Sequence, residues 1–339
     1  MVSPVSHTLR IVVTRTPLRV SFAGGGTDLA DFYERGYGAV FSTAIDKYIY
    51  VTVKRHSQLF NEPIRVNYSS TEQVDTIDEI KNNIARECLR FLKIQPPIYI
   101  STVGDLPAST GLAGSSSFAV GLLHALHAYR GERVSPGQLA EEATHIEINV
   151  LKEPIGKQDQ YAAAFGGLNF FRFNPGGAVT VEPLRLQGNF LDDLFEHILM
   201  FWTGIQRDAS SVLSEQKQNI PAKIAYLEKM RAHAHQLQEC AGAGPFDPVA
   251  FGRILHESWQ LKRQLASSIS SSQIDSYYER ALHAGAEGGK ICGAGNGGFL
   301  LFIVRPEKKA SVRAALSELL EVPVAFEAHG SRVLLPFEH

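Results

Sequence analysis

The sequence predicts a protein of mixed helices and strands in two parts. Three observations lead there. The chain has 339 residues, more than the roughly 100–200 of a typical domain. Strand-like and helix-like periodicities are interleaved along its first half. After Arg207 the texture turns mostly helical, which sets a boundary near residue 190 and divides the chain into 1–190 and 191–339.

The elements follow in order. Residues 11–22 and 39–54 are rich in β-branched and aromatic side chains. In the second, Ile49, Val51 and Val53 alternate with Tyr48, Tyr50 and Thr52, the period of a strand. Helical spacing follows at Ile77, Ile80, Ile84 and Cys88, then a short strand at 97–103. Two helices are expected at 115–129 and 136–151. The second has Ser135 as N-cap and Pro136 in its first turn. Strands are expected at 168–173 and 197–202. The helical stretch runs from 207 to about 283, broken near 242–248, with a serine-rich loop at 267–272. A glycine-rich turn, a strand at 299–304, a helix near 307–320 and two short strands close the chain.

Composition excludes several classes. Lysine and arginine number 33 against 35 acidic residues, a net charge of −2, so no broad nucleic-acid surface is expected. The longest clean apolar run, 299–304, is far short of the ~20 residues that span a bilayer. No basic-then-apolar leader opens the sequence. Cys88, Cys240 and Cys292 lie far apart without a CxxC pair, so neither a disulfide framework nor structural zinc is expected, and the cytoplasm is the expected compartment.

Glycine is bunched in three places. The first is Pro17-Leu-Arg-Val-Ser-Phe-Ala-Gly-Gly-Gly-Thr-Asp28, where a strand runs into three glycines. The position that would complete GxGxxG is Leu29, so the dinucleotide fingerprint fails. Both a ligand-facing turn and a plain turn with Asp28 capping a helix remain open. The second, Pro107-Ala-Ser-Thr-Gly-Leu-Ala-Gly-Ser-Ser-Ser117, enters an apolar helix. Glycines open such a loop, its N–H groups face outward, and the helix N-terminus favours negative charge. Phosphate binding is expected; a serine-capped helix is the plain alternative, and no Walker A motif occurs. The third holds six glycines within 288–298 ahead of the strand at 299–304. It suits close approach to a substrate or to another loop, or a turn with a bulge.

Two acids and one base stand in unexpected places. Glu147 falls on or beside the inward stripe of Leu139, Ala143, Ile146 and Val150. An inward carboxylate needs a cation, a donor or a metal, and Mg²⁺ suits it; a border salt bridge is the alternative. Asp159 lies just past the helix end. Arg19 sits mid-strand, where a buried arginine wants a carboxylate, and an Arg–Asp pair would keep that carboxylate ionised as a base must be. His124, His127, His145, His233 and His235 lack metal-ligand spacing.

The ordered motifs Pro-x-Arg-Val-x-Phe-x-Gly-Gly-Gly-Thr-Asp, Pro-x-x-x-Gly-Leu-x-Gly-Ser-Ser-Ser and Gly-Ala-Gly-Asn-Gly-Gly resemble the GHMP kinase superfamily over essentially the whole chain. The resemblance implies a two-domain α+β fold, with an N-terminal domain like ribosomal protein S5 domain 2 and a ferredoxin-like C-terminal domain. It implies ATP and Mg²⁺ as cofactors. Pro107, Gly111, Leu112, Ala113, Gly114, Ser115, Ser116 and Ser117 match the ATP phosphate loop, with Ser116 or Ser117 near Mg²⁺ and Ser117 joined to Glu147 as metal ligand. Asp159 matches the catalytic aspartate and Arg19 its cation. Gly25, Gly26, Thr27, Asp28, Gly295, Asn296 and Arg207 match the substrate side. Galactokinases carry Gly-Glu-His where this chain has Gly24-Gly25-Gly26, which argues against galactose.

The stretch from Arg15 to Asp28 is similar to the branch that phosphorylates D-glycero-D-manno-heptose 7-phosphate at C1, and 203–207 also looks like that branch and the fucokinases. The expected reaction is ATP-dependent C1 phosphorylation of that sugar phosphate, within nucleotide-activated heptose synthesis for a capsule or lipopolysaccharide. Another C1 sugar kinase, such as an L-fucokinase or a galactokinase-like enzyme, is the alternative, with a non-catalytic sugar-phosphate sensor behind it. Lys152, Lys157, Arg172 and Arg207 are candidates for the distal phosphate. Neither nucleic acid nor membrane is expected as a partner, and a homodimer is left open.

Overall fold

The computed structural model describes residues 11–184, 186, 188–206 and 209–336. Among these, the strands are β1 (Ile11–Ala23), β2 (Gly38–Arg55), β3 (Ile64–Asn67), β4 (Thr71–Val74), β5 (Ile98–Gly104), β6 (Leu168–Phe173), β7 (Val179–Pro183), β8 (Ile198–Trp202), β9 (Ala286–Ile291), β10 (Phe299–Val304), β11 (Leu320–Glu321) and β12 (Arg332–Pro336). The α-helices are α1 (Ala30–Tyr33), α2 (Asn83–Phe91), α3 (Gly114–Tyr129), α4 (Pro136–Thr144), α5 (Gln158–Phe165), α6 (Phe190–His197), α7 (Ala209–Ala243), α8 (Pro248–Lys262), α9 (Ser272–His283) and α10 (Lys309–Ala315).

Two sheets form. The first runs β12-β1-β2-β5-β3-β4, with β6 and β7 continuing from the other half of β2. The 18 residues of β2 make this branching possible: its first part, from Gly38 to Thr43, pairs with β6, and its second, from Ile49 to Arg55, pairs with β5. The second sheet is β11-β8-β10-β9, antiparallel throughout. The chain crosses back at its far end, since β12 pairs with β1.

Helix α3 lies against β1 and β2 through a core of Val51, Val53, Ala119, Val120 and Leu123. This packing aims its N-terminus at the seam between the sheets. At that seam one buried cluster joins Phe22, Phe41 and Phe170 of the first sheet to Met200 and Leu301 of the second and to Phe251 of α8. Burying such side chains is worth about 1.5–3 kcal/mol each, so the seam is a shared core, and a site built across it is held rigidly. No helix among the described residues is long and apolar enough to cross a membrane.

Several expected elements differ from those observed. The helix expected to 151 ends as α-helix at Thr144 and continues as a wider π-turn over His145–Val150. Ile77 lies in a short 3₁₀ turn, Ile77–Glu79, separate from α2. The last helix is shorter, Lys309–Ala315. The glycine-rich stretch expected to be all turn contributes β9. Its glycines admit α8: a Cβ on Gly288 would sit 1.9 Å from the carbonyl oxygen of Gly252, so only a strand without side chains there lets the helix come this close.

Candidate active site

A cavity opens at the seam. Its lining includes Arg19, Gly25, Gly26, Asp28 and Asp159 from the first half and Lys262 and Lys290 from the second. Arg19 is buried in mid-β1. It donates through Nε (2.8 Å) and through its second terminal nitrogen (2.7 Å) to Oδ1 of Asp159. Its remaining terminal nitrogen donates to the carbonyl of Gly111 at 2.8 Å. One side chain thus ties the carboxylate to the glycine loop. Asp159 lies past the end of the preceding helical stretch, as expected, and in the first turn of the next helix, α5, where the helix dipole favours a negative charge.

Asp28 is buried in the same cavity. Its Oδ1 accepts from Gly26 N–H (2.9 Å) and its Oδ2 from Gln158 N–H (3.3 Å). Burial, and then the nearby Asp159, push its carboxyl above the ordinary range. It does not cap α1, whose N-cap residue Leu29 makes no side-chain cap bond. Thr27 is turned inward: its hydroxyl donates to the carbonyls of Gly24 (2.7 Å) and Ala39 (2.9 Å). It braces the turn and does not line the cavity.

The second glycine cluster leads into α3 through Ala113, which takes left-handed φ/ψ of 68° and 30°. Gly111 also has positive φ, 81°. A Cβ on Gly111 would lie 2.6 Å from the Cys292 carbonyl, and one on Gly293 would lie 2.4 Å from Gly111 Cα. The second and third clusters therefore touch backbone to backbone, which only glycine permits. Pro107 is exposed at the start of the loop. Leu112 is anchored in the seam core, and its carbonyl accepts from Arg19 N–H. Gly114 opens the helix, with Ser115 exposed beside it.

Glu147 sits in the π-turn, buried beneath this N-terminus. Its carboxylate accepts from Ser116 Oγ (2.7 Å), Ser115 Oγ (3.1 Å) and Gln160 Nε2 (2.6 Å). Burial pushes it up to about 7, against the opposing pull of these donors. Ser117 is elsewhere: its hydroxyl donates to the Pro17 carbonyl at 2.9 Å. The serine facing Glu147 at depth is Ser116, which corrects the expectation for Ser117. A carboxylate with two serine hydroxyls is a hard oxygen set, chemically suited to Mg²⁺ that takes its other ligands from water and phosphates. No group of three or more His, Cys, Asp or Glu placed to hold a metal occurs among the described residues.

The third cluster enters differently from expectation. Gly293 and Ala294 line the cavity, whereas Gly295 and Asn296 pack against Ile269, Asn296 N–H donating to its carbonyl at 2.7 Å. Asn296 does adopt left-handed backbone, φ 60°. Among the expected distal-phosphate cations, Lys157 Nζ donates to the Gly177 carbonyl (2.6 Å) and Lys152 is exposed. The guanidinium of Arg172 stacks on Tyr37 at 4.3 Å. Arg207 lies outside the described residues. Sequence reasoning missed Lys262 and Lys290, both buried in the cavity wall.

Residues 80–167 match the family model described as GHMP kinases N terminal domain, and residues 234–322 match GHMP kinases C terminal. The chain is 30% identical over 322 residues to D-glycero-alpha-D-manno-heptose 7-phosphate kinase of Campylobacter jejuni, covering 91% of this chain and 94% of that protein. It is 24% identical over 347 residues to a galactokinase of Pyrococcus furiosus, covering 90% and 92%. Among solved structures it resembles a D-glycero-D-manno-heptose 1-phosphate kinase from Bacteroides thetaiotaomicron, with a TM-score of 0.79 and 25% identity over 96% of this chain and 100% of that one.

Proposed function

Since the chain belongs to the GHMP kinases, has their two-domain fold and is a sugar kinase, we propose that it moves the γ-phosphoryl group of ATP onto the C1 hydroxyl of D-glycero-D-manno-heptose 7-phosphate. The carrying observation is the reach of Arg19, which bonds the Asp159 carboxylate and the Gly111 carbonyl together. The acceptor's base and the donor's loop are thereby held at one spacing.

Each residue then has a task. Asp159 accepts the C1 hydroxyl proton as the sugar oxygen bonds to the γ-phosphorus and the bond from that phosphorus to the β–γ bridging oxygen breaks. Arg19 orients Asp159 and offsets negative charge gathering between acceptor and donor. The N–H groups from Gly111 to Ser116, at the positive end of α3, face the phosphates, whereas the Ser117 N–H is already given to the Ala113 carbonyl (2.9 Å). Asp28, fixed by Gly26 and Gln158, holds sugar hydroxyls. Ser116 and Glu147 would hold Mg²⁺, which when bound neutralises phosphate charge. Most of the rate comes from positioning and electrostatics. Residues 1–190 supply the base and the donor loop, and 191–339 close the acceptor side. The enzyme works in the cytoplasm, where ATP is available.

The test is incubation with MgATP and the heptose 7-phosphate, followed by phosphorus NMR correlated to the anomeric proton. A second phosphate on C1 is the expected result. Turnover confined to unphosphorylated sugars would retain the kinase and overturn the acceptor.

A further inference from the structure

The cavity beside Asp159 carries two cations that join no ion pair among the described residues, although Asp28 and Asp159 on the facing wall are near enough to favour the charge on Lys262. Lys262, the last residue of α8, and Lys290, on β9, line it and are 7% and 5% exposed. Lys262 Nζ donates to the Gly293 carbonyl. Lys290 Nζ donates to the carbonyls of Ser21 (2.5 Å) and Phe22 (3.3 Å). Neither joins an ion pair among the described residues, and Arg19 is already committed to Asp159 and Gly111. Burial, then the proximity of Lys262, lowers Lys290 to about 7; burial, then Arg19, lowers Lys262 to about 8. Cations buried without a counter-charge are costly and call for an anion.

An independent observation marks the same spot. The Ser21 hydroxyl is buried in the cavity wall and has no hydrogen-bond partner among the described residues. Gly25 stands beside it: a Cβ there would lie 3.9 Å from Ser21 Oγ and 3.7 Å from Gln158 Nε2. A larger side chain at residue 25 would extend into this space, and glycine leaves it open.

We infer that Lys262, Lys290 and Ser21 form the subsite for a phosphate monoester carried by the acceptor itself, distinct from the phosphoryl group in transfer. The inference rests on the sugar-phosphate reading above and names what holds the second phosphate. A dianion suits two ammonium groups and a hydroxyl donor. The donor phosphates already have the α3 N-terminus and its serines. Ser21 is two residues beyond Arg19 on the same strand face, roughly 6.6 Å along it, which leaves room for a sugar body between the reacting hydroxyl and this pocket.

The experiment is calorimetric titration of the full chain, without ATP, by the heptose 7-phosphate, by unphosphorylated heptose and by inorganic phosphate. Wild type should prefer the phosphorylated sugar. Lys290→Met and Lys262→Met should each cut that preference about 10–100-fold, the effect of losing a hydrogen bond to a charged group. Ser21→Ala should act in the same direction but less strongly, and it serves as the mild variant if a lysine variant misfolds. Affinity for MgATP should stay within about twofold, since the donor site lies elsewhere. Equal wild-type binding of both sugars overturns the subsite, even if the NMR assay shows C1 phosphorylation. Loss of MgATP affinity in step with the sugar phosphate also overturns it, by assigning the lysines to the transferred group. Lysine-dependent binding of inorganic phosphate without turnover of the heptose 7-phosphate sustains the subsite and fails the heptose reading instead.

Discussion

The two walls of the cavity treat charge differently. On the wall from the first half, the charges at the reacting centre are tied into side-chain networks, Arg19 with Asp159 and Glu147 with three donors, while Asp28 is held by two backbone N–H groups. On the wall from the second half, Lys262 and Lys290 meet only carbonyl oxygens. A satisfied network is preorganised and costs little to maintain. An unmatched buried cation destabilises the empty protein and recovers that energy when an anion arrives. One wall is set for chemistry, the other for capture.

The sharpest way to break this comparison is at Asp159. Asp159→Asn should lower kcat about 10²–10⁴-fold, the usual loss for a general base, with MgATP binding retained by calorimetry. Retention of most activity would remove the first wall from the chemistry.

Next in size is a gain of stability on the second wall. Lys290→Met should stabilise the ligand-free protein by about 1–4 kcal/mol near neutral pH, as apolar replacement of unfavourable buried charge does. The sign follows from the lowered lysine. Between about 7 in the folded state and the ordinary 10.5, the unfolded chain binds the extra proton. Wild-type stability therefore climbs with pH across that window, and the advantage of the variant is full below pH 7 and fades above it. Urea denaturation at pH 6.5 and 9.5 checks this, and an advantage independent of pH would sink it.

Gly111→Ala probes the contact between the walls. The added Cβ meets the Cys292 carbonyl at positive φ, so a loss of about 1–3 kcal/mol is expected, together with a raised KM for ATP. The smallest effect is expected at Ser117. Removing its bond to Pro17 should cost about 1 kcal/mol of stability, whereas Ser116→Ala should raise the Mg²⁺ concentration needed for half-maximal rate. Reversed behaviour of the two serines would restore Ser117 to the metal.

The first wall was largely legible in sequence because its residues depart from local expectation. Arg19 interrupts a strand suited to burial, Glu147 falls on an inward stripe, and glycines crowd before α3. The second wall was not. Lys262 ends an ordinary amphipathic helix, where a lysine reads as solvated. Lys290 was hidden because glycines around it signal a turn, while in fact they thin a strand so that α8 can lie on it. The π-turn carrying Glu147 leaves no signature in residue type. Ser117 and Ser116 differ only in which way the first turn of α3 rotates, which tertiary packing decides. The strand pairing of β1 with β12 spans nearly the whole chain, and periodicity carries no information on partners so distant.

That last pairing has a consequence for synthesis. β1, which bears Arg19, is an inner strand only once β12 has joined it. On a ribosome adding about 5–20 residues per second, the nascent first sheet waits on the order of ten seconds after β7 emerges with one hydrogen-bonding edge bare. During that interval β1 is open to pairing with a neighbouring nascent chain. A stop codon just before β12 would make that interval permanent, so loss of a five-residue strand is expected to drive the newborn protein toward aggregation.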